Sequence, residues 1–335
     1  MAVHMTRGQR VWWWLLLAFG VLLAITAGTA LWAYQRLDGN IATDRAAAEA
    51  LDEHAGERPA AVGEARDILL IGDDWGSGTG NARSDTVLLP HLSGDGERAE
   101  AVNVPRDIVV DLPACRTEDG GRSEARTAQF DGAYQYGGAA CAIRAFERLT
   151  DIRIDHHLVL GFEGFADIID AVGGVEVELA QDEHDPNVGH HLSAGRHVLD
   201  GEQALAYVRA RVYVGDDSDL HRIVRQQEFL GLLHDELTDG GTLANPARLY
   251  PVLEAVTSAI TGDSGLDSLD ELRRLVQDVQ DVQAVPDGGL TFRTVPTLPH
   301  PTQDDRLTLD PSAAGRLFAA LRQDRPLPPP DEPER

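Results

Sequence analysis

The chain has 335 residues, 43% of them hydrophobic, and a formal net charge of -26 at pH 7. That is enough apolar content for one large domain, or two modest ones, behind a short membrane segment, and too much acid to suit the phosphate backbone of free nucleic acid. All 29 basic residues are Arg, so a Schiff base, a P-loop and a Ser-x-x-Lys nucleophile are excluded, and any anion is left to Arg, His, backbone N–H groups or a metal.

Residues 11–33 carry no charge, and about 20 apolar residues suffice to cross a bilayer as one helix. Arg7 and Arg10 precede the run and no acid comes before Asp38. The positive-inside rule then sets the N-terminus (1–10) in the cytoplasm and everything after residue 33 outside the cell membrane. Trp12 to Trp14 and Trp32 to Tyr34 stand at the two ends, as interfacial aromatics do. A cleaved signal peptide is the rival reading, supported by the small residues at 27–30; its apolar core would be about 7–15 residues, shorter than this one.

Residues 34–64 read as a polar, Ala-rich stalk or linker. A buried strand is expected at 67–72, a Gly-rich loop at 74–82, and strands at 86–89, 99–104 and 108–112; 115–127 reads as a charged loop. Helical periodicity follows at 137–149, a strand at 157–160 and a helix at 162–172 that Gly173-Gly174 stops, then an alternating strand at 175–179. Asp200 with Gln203 three residues on is a capping box for a helix to Arg209. Further helices are expected at 219–237, 246–260 and 268–282, a strand at 291–295, and a last helix opened by Asp310-Pro311. This alternation predicts one α/β layered domain over about 65–324, with a Pro-rich, disordered tail at 325–335. Cys115 and Cys141, an even pair in an exported domain, suggest one disulfide; two unrelated buried thiols are the alternative.

Three segments carry candidate chemistry. Asp74 follows one strand and Asp85 opens the next, a place where two carboxylates could share Mg²⁺ with substrate phosphates; solvation of a loop is the plain alternative. Pro105-Arg106-Asp107 ends an apolar strand. Arg209 and Arg211 are followed by Arg222, Arg225 and Gln226, whose i, i+3, i+4 spacing puts them on one helix face. Gathered guanidinium groups suit a phosphate, although surface pairing with the abundant acids would give the same pattern. The histidines at 156–157, 184 and 190–191 have no HExxH spacing.

Taken together, ILLIGDD, RSDT, NVPRD, FDGAYQYGG, GFEGFADIIDAVGGVEVEL, LDGEQALAYVRAR and DLHRIVRQQEFL resemble, in this order over about 67–237, the LytR-CpsA-Psr family. The stretch from Asn245 to Leu321 resembles the extension of actinobacterial-type members. The resemblance implies an α-β-α domain with a central mixed sheet, a pyrophosphate head site and a slot for a polyprenyl tail. Asp74 and Asp85 match the acids associated with Mg²⁺ (or Mn²⁺). Arg83, Arg106, Arg209, Arg211, Arg222 and Gln226 match the head-group residues, with Arg225 in the same motif. Arg83, Asp85, Arg106, Arg209 and Arg211 are the catalytic set. One departure removes a positive charge: Gln129 stands where many members have Lys, and Asp131 where Asn is common. The implied activity is a phosphotransferase that moves a glycopolymer from a polyprenyl-pyrophosphate-linked glycan to a peptidoglycan acceptor, at the membrane and without nucleic acid. Asp85 and Asp107 are the candidate bases. A hydrolase of the same lipid and a non-enzymatic lipid-binding or regulatory protein are the alternatives.

Overall fold

The computed structural model describes residues 7–61, 63–73, 84–117, 120–211, 219–239, 241–243, 245–283, 290–303 and 306–329. In chain order the elements are α1 (Arg7–Asp38), β1 (Ala42–Thr43), α2 (Arg45–Asp52), β2 (Arg66–Asp73), β3 (Ser84–Leu92), β4 (Ala99–Val104), β5 (Val109–Leu112), β6 (Arg126–Gln129), α3 (Gly132–Thr150), β7 (His156–Gly161), α4 (Phe162–Val172) and β8 (Val175–Leu179). There follow β9 (Glu183–Asp185), β10 (His190–Leu192), β11 (Gly195–Leu199), α5 (Gly201–Arg209), α6 (Asp219–Asp239), α7 (Pro246–Ala259), β12 (Ile260–Gly262), α8 (Leu269–Gln283), β13 (Leu290–Thr294), β14 (Thr297–Pro299), β15 (Leu307–Leu309) and α9 (Ala313–Leu321).

The central sheet is mixed, in the order β1-β12-β7-β2-β3-β4-β13. β2 runs parallel to β7 and antiparallel to β3, and β4 is antiparallel to β3 and parallel to β13. β2, β3 and β4 are apolar on both faces because helices cover both. Leu69, Ile71, Val87, Leu89, Val102 and Val104 join α3, α9 and α2 on one side. On the other side Ile68, Leu70 and Leu158 meet α8. A separate apolar cluster (Ile169, Val175, Leu199, Ala204, Phe229) ties α4, α5 and α6 to the β8–β11 hairpin. The result is an α-β-α layered domain behind one apolar N-terminal helix.

Local signals act as expected at several ends. The Asp200 carboxylate accepts from Gln203 N–H at 2.9 Å and Gln203 Oε1 accepts from Asp200 N–H at 3.2 Å, opening α5 with both halves of the capping box. α4 stops at Gly173, whose φ of 103° is left-handed. Asp310 accepts from the N–H groups of Ser312 and Ala313 and so opens the turn that leads into α9. Within α3, Gly137 and Gly138 leave helical geometry. A Cβ on Gly137 would lie 2.7 Å from the Arg116 carbonyl and 2.9 Å from Cys115 Cβ, so the kink lets the chain at 115 press against the helix. There Cys115 is joined to Cys141, with Cα atoms 5.6 Å apart.

Two terminal segments differ from the sequence reading. Residues 34–64 do not form a stalk. Leu37, Ile41, Ala47 and Leu51 are buried, β1 pairs with β12, and Asp44 both caps α2 and meets His157 at 3.3 Å. Four apolar residues spaced through a polar stretch are enough to seat it on the domain. At the other end, the segment expected to be disordered from 325 follows the core as far as residue 329. Leu327 packs against the main cluster and its N–H donates to Glu100 at 3.2 Å. The charged stretch 115–127, expected as a loop, ends in β6, which pairs with β5.

Candidate functional site

The sheet directs several sequence segments to one edge. β2 ends at Gly72 and Asp73, paired with Leu160 and Gly161 at the end of parallel β7. Antiparallel β3 starts at the same edge, and Val87 pairs with Val104, after which Pro105 and Arg106 leave β4. Asp73 and Gly72 face Ser84 and Thr86 with a register shift between them. Asp85 is the extra residue of this bulge, a device common beside active sites. Ligands in open α/β sheets bind at such strand ends. Asp74 and Arg83 lie outside the described residues, and Asp85 is described in its backbone alone.

Beneath this edge is a cavity of about 270 Å³ between the sheet and α4, α5 and α6. Leu70, Leu88, Leu158, Leu160, Phe162, Phe165, Leu205, Val208, Phe229, Leu230 and Ile260 form an apolar wall, and Thr86, Arg209 and Gln226 supply polar groups. The Arg209 guanidinium stacks over the Phe162 ring at 4.4 Å. Gln226 accepts from the Thr86 hydroxyl at 3.3 Å and donates to the Val208 carbonyl at 3.1 Å. α5 is held against α4 because Gly201 has no side chain: a Cβ there would lie 2.2 Å from the Ala166 carbonyl. The Gly201 N–H donates to Asp170 at 2.7 Å.

A second polar group lies where β4 gives way to β5. Asp107 accepts from Gln129 at 2.7 Å and stands 3.6 Å from Arg211. The Arg106 carbonyl accepts from Asp131 N–H. Asp73, only 7% exposed, accepts from the Tyr134 hydroxyl at 2.6 Å. Gln129 thus gives Asp107 a neutral donor beside the charge of Arg211.

Arg222 and Arg225 are 3% and 4% exposed, so the shared helix face points inward. Arg225 is engaged within the protein: it donates to the Ala210 carbonyl at 3.1 Å, meets Glu183 at 3.4 Å and lies over the Tyr207 ring. Ala210 separates Arg209 from Arg211, so Arg225 fixes the backbone that presents both, while Asp185 accepts from Arg211 N–H at 2.8 Å. His190 meets Glu183 from the hairpin side at 3.1 Å. Burial pushes the Glu183 carboxyl up, but the His190 hydrogen bond and the Arg225 charge outweigh it and hold it below the ordinary value. Burial also raises the Tyr207 hydroxyl. Phe229 of α6 is buried, whereas Leu232 of the same helix is 37% exposed.

Glu183, His190, Tyr207 and Tyr134 were not legible as site residues. Glu183 and His190 come from a short acidic hairpin indistinguishable from solvated surface, and Phe162 and Phe165 read as ordinary core. Among the described residues no group of three or more His, Cys, Asp or Glu could hold a metal ion. Of the two acids expected to do so, Asp74 lies outside the described residues and Asp85 is described only as backbone, at the bulge where β3 starts.

Comparison with known proteins gives a consistent set. The LytR_cpsA_psr family model matches residues 36–288. The cell wall biosynthesis protein LcpA of Corynebacterium glutamicum is 31% identical over 266 residues, covering 69% of this chain and 50% of LcpA. TagT of Bacillus subtilis, named a polyisoprenyl-teichoic acid–peptidoglycan teichoic acid transferase, is 32% identical over 179 residues, covering 50% of this chain and 52% of TagT. The chain spans about half the length of these curated relatives. Among solved structures, the LytR-Csp2A-Psr enzyme from Actinomyces oris is similar with a TM-score of 0.59 and 25% identity, over 79% of this chain and 93% of that one.

Proposed function

The chain belongs to the LytR_cpsA_psr family, and on that premise we propose that it transfers a glycopolymer from a polyprenyl-pyrophosphate carrier to peptidoglycan at the outer face of the membrane. The observation that carries this reading is an apolar cavity that meets a guanidinium, Arg209. A ligand for such a place has a hydrocarbon tail and an anionic head, and bidentate Arg contacts suit phosphate. The name of TagT supplies the class of donor and acceptor for a relative.

In the proposed reaction an acceptor hydroxyl attacks the phosphorus that bears the glycan. A P–O bond forms to the acceptor, the bond from that phosphorus to the bridging oxygen breaks, and polyprenyl phosphate leaves with the electron pair. The hydroxyl proton passes to a carboxylate. Asp107, 3.6 Å from Arg211, is the described candidate, and Asp85 is the other. Arg106, Arg209 and Arg211 gather about the head group and offset charge that builds on the phosphate oxygens; Arg83 belongs with them by motif. Gln226 lines the cavity, Arg222 belongs to the head-group set by motif, and Arg225 holds Ala210 so that its neighbours are correctly aimed. Asp74 and Asp85 would hold Mg²⁺ or Mn²⁺, which supplies positive charge to the pyrophosphate when bound.

The test is the paired variant Arg209→Ala with Arg211→Ala. Transfer should fall by roughly 10³-fold or more while the thermal unfolding curve stays near that of the wild type. Turnover retained in a folded double variant would contradict the assignment.

A further inference from the structure

The way α1 meets the domain identifies a second membrane contact. Trp12 and Trp32 are 20 residues apart in one helix, about 30 Å at 1.5 Å per residue, which matches the hydrocarbon thickness of a bilayer. Trp32 then lies at the interface on the domain side, where aromatic rings collect. From there α1 packs along α7 in a regular register. Trp32 stacks on Tyr250 with ring centroids 6.4 Å apart, Arg36 pairs with Glu254 at 3.4 Å, and Asn40 donates to Thr257 at 3.4 Å. Each step of four along α1 and the turn after it is a step of three or four along α7. The two helices therefore run in the same direction, and the N-terminus of α7 points back toward the membrane. Pro246 lies four residues before Tyr250, about 6 Å closer to the lipid.

The turn ahead of Pro246 is built to present an apolar tip. Thr242 is buried, its carbonyl accepts from Asn245 N–H at 3.2 Å, and the Asn245 side chain accepts from Ala247 N–H at 3.0 Å. Held between them, Leu243 is 50% exposed. Residues 242–253 contain no acid in a chain of formal charge -26, and they include Arg248 and Tyr250. An acid-free stretch with an exposed Leu and a Tyr beside the interfacial Trp32 is suited to the membrane–water interface.

We propose that Leu243 and residues 245–248 form a foot that rests in the headgroup layer of the bilayer that α1 crosses, with Leu243 entering the acyl boundary. This rests on the membrane reading of α1. It also fixes the height of the site: α7 climbs from Tyr250 to its end at Ala259, about 14 Å, and the next residue, Ile260 of β12, lines the cavity. A carrier lipid would then rise a set distance from the leaflet rather than find a freely swinging domain.

The test uses the full chain in phosphatidylglycerol vesicles with nitroxide-bearing lipids. Because Cys115 and Cys141 are bonded to each other, one environment-sensitive label can be placed at Leu243→Cys, at Ala247→Cys or, within the span, at Leu23→Cys. The foot predicts that labels at 243 and 247 lose roughly half their emission to nitroxides held near the acyl boundary, as the label at 23 does to deeper ones. A quenched label at 23 with unquenched labels at 243 and 247 would overturn the foot and leave the anchor standing. If those unquenched labels also emitted in the blue, a second protein copy would be the occupant, again overturning it. No quenching at any of the three would remove the membrane reading and the foot together.

Discussion

Arg225 illustrates how far a motif carries at the scale of one residue. By resemblance the RQQ pattern leads one to expect an arginine among anion-binding residues, yet its described partners are Glu183, the Ala210 carbonyl and the Tyr207 ring. Sequence cannot separate an arginine that touches a ligand from one that aims its neighbours, because the separation depends on a hairpin 42 residues away. Asp107 and Arg211 were legible as candidates; the hydrogen bond that Gln129 gives Asp107 was not. The Glu183 brace has a pH signature. Its folded-state carboxyl is held below the unfolded value near 4.5. Its stabilising contribution is therefore present above that value and is lost as pH falls through the lower, folded one. Glu183→Gln should flatten this part of the acid limb: thermal melts taken from pH ~5 to ~3 should show a smaller loss for the variant than for the wild type. Parallel curves would assign the acid sensitivity elsewhere.

At the scale of elements, ends and periodicities were readable and short pairings were not. The capping box at Asp200, the Gly173 stop and the apolar strands of the sheet each carry a local cause. β1 and β12 are two and three residues long and pair with each other although far apart in sequence, so no local pattern announces them. Helix α3 was placed with its start at 137 rather than Gly132, because Gly137-Gly138 reads as a beginning when it is a kink. That kink makes room for the Cys115–Cys141 bond, which closes a separation of 26 residues. A loop of that size confines the unfolded chain by about 3 kcal/mol. Denaturant unfolding with and without reductant should show a loss of that order. Gly137→Ala should also destabilise the domain, since its methyl would collide with the Arg116 carbonyl. Equal stability with and without reductant would mean that the bond does not confine the unfolded chain.

For the whole molecule, strand direction is what assembles the site. β2 and β7 end, and β3 begins, at one edge, so segments separated by more than 80 residues arrive together without any loop reaching far. The layered α-β-α class followed from alternation of elements, and the order β7-β2-β3-β4 did not, since nothing in one strand names its neighbour. The same packing leaves the apolar cavity between the sheet and α4, α5 and α6, whose lining residues look like core until the gap is seen. Attachment is equally a property of the whole: α7 and β12 connect the apolar N-terminal helix α1 to the cavity wall, and buried residues of 34–64 replace what sequence suggests is a tether.

The most direct measurement combines the full chain with a polyprenyl-pyrophosphate-linked glycan, Mg²⁺ and a peptidoglycan fragment, and reads the products by mass spectrometry. The account predicts a glycan joined to the acceptor through one phosphate, formed together with polyprenyl phosphate. Release of glycan phosphate with no acceptor adduct would contradict transfer and leave a hydrolase of the carrier lipid.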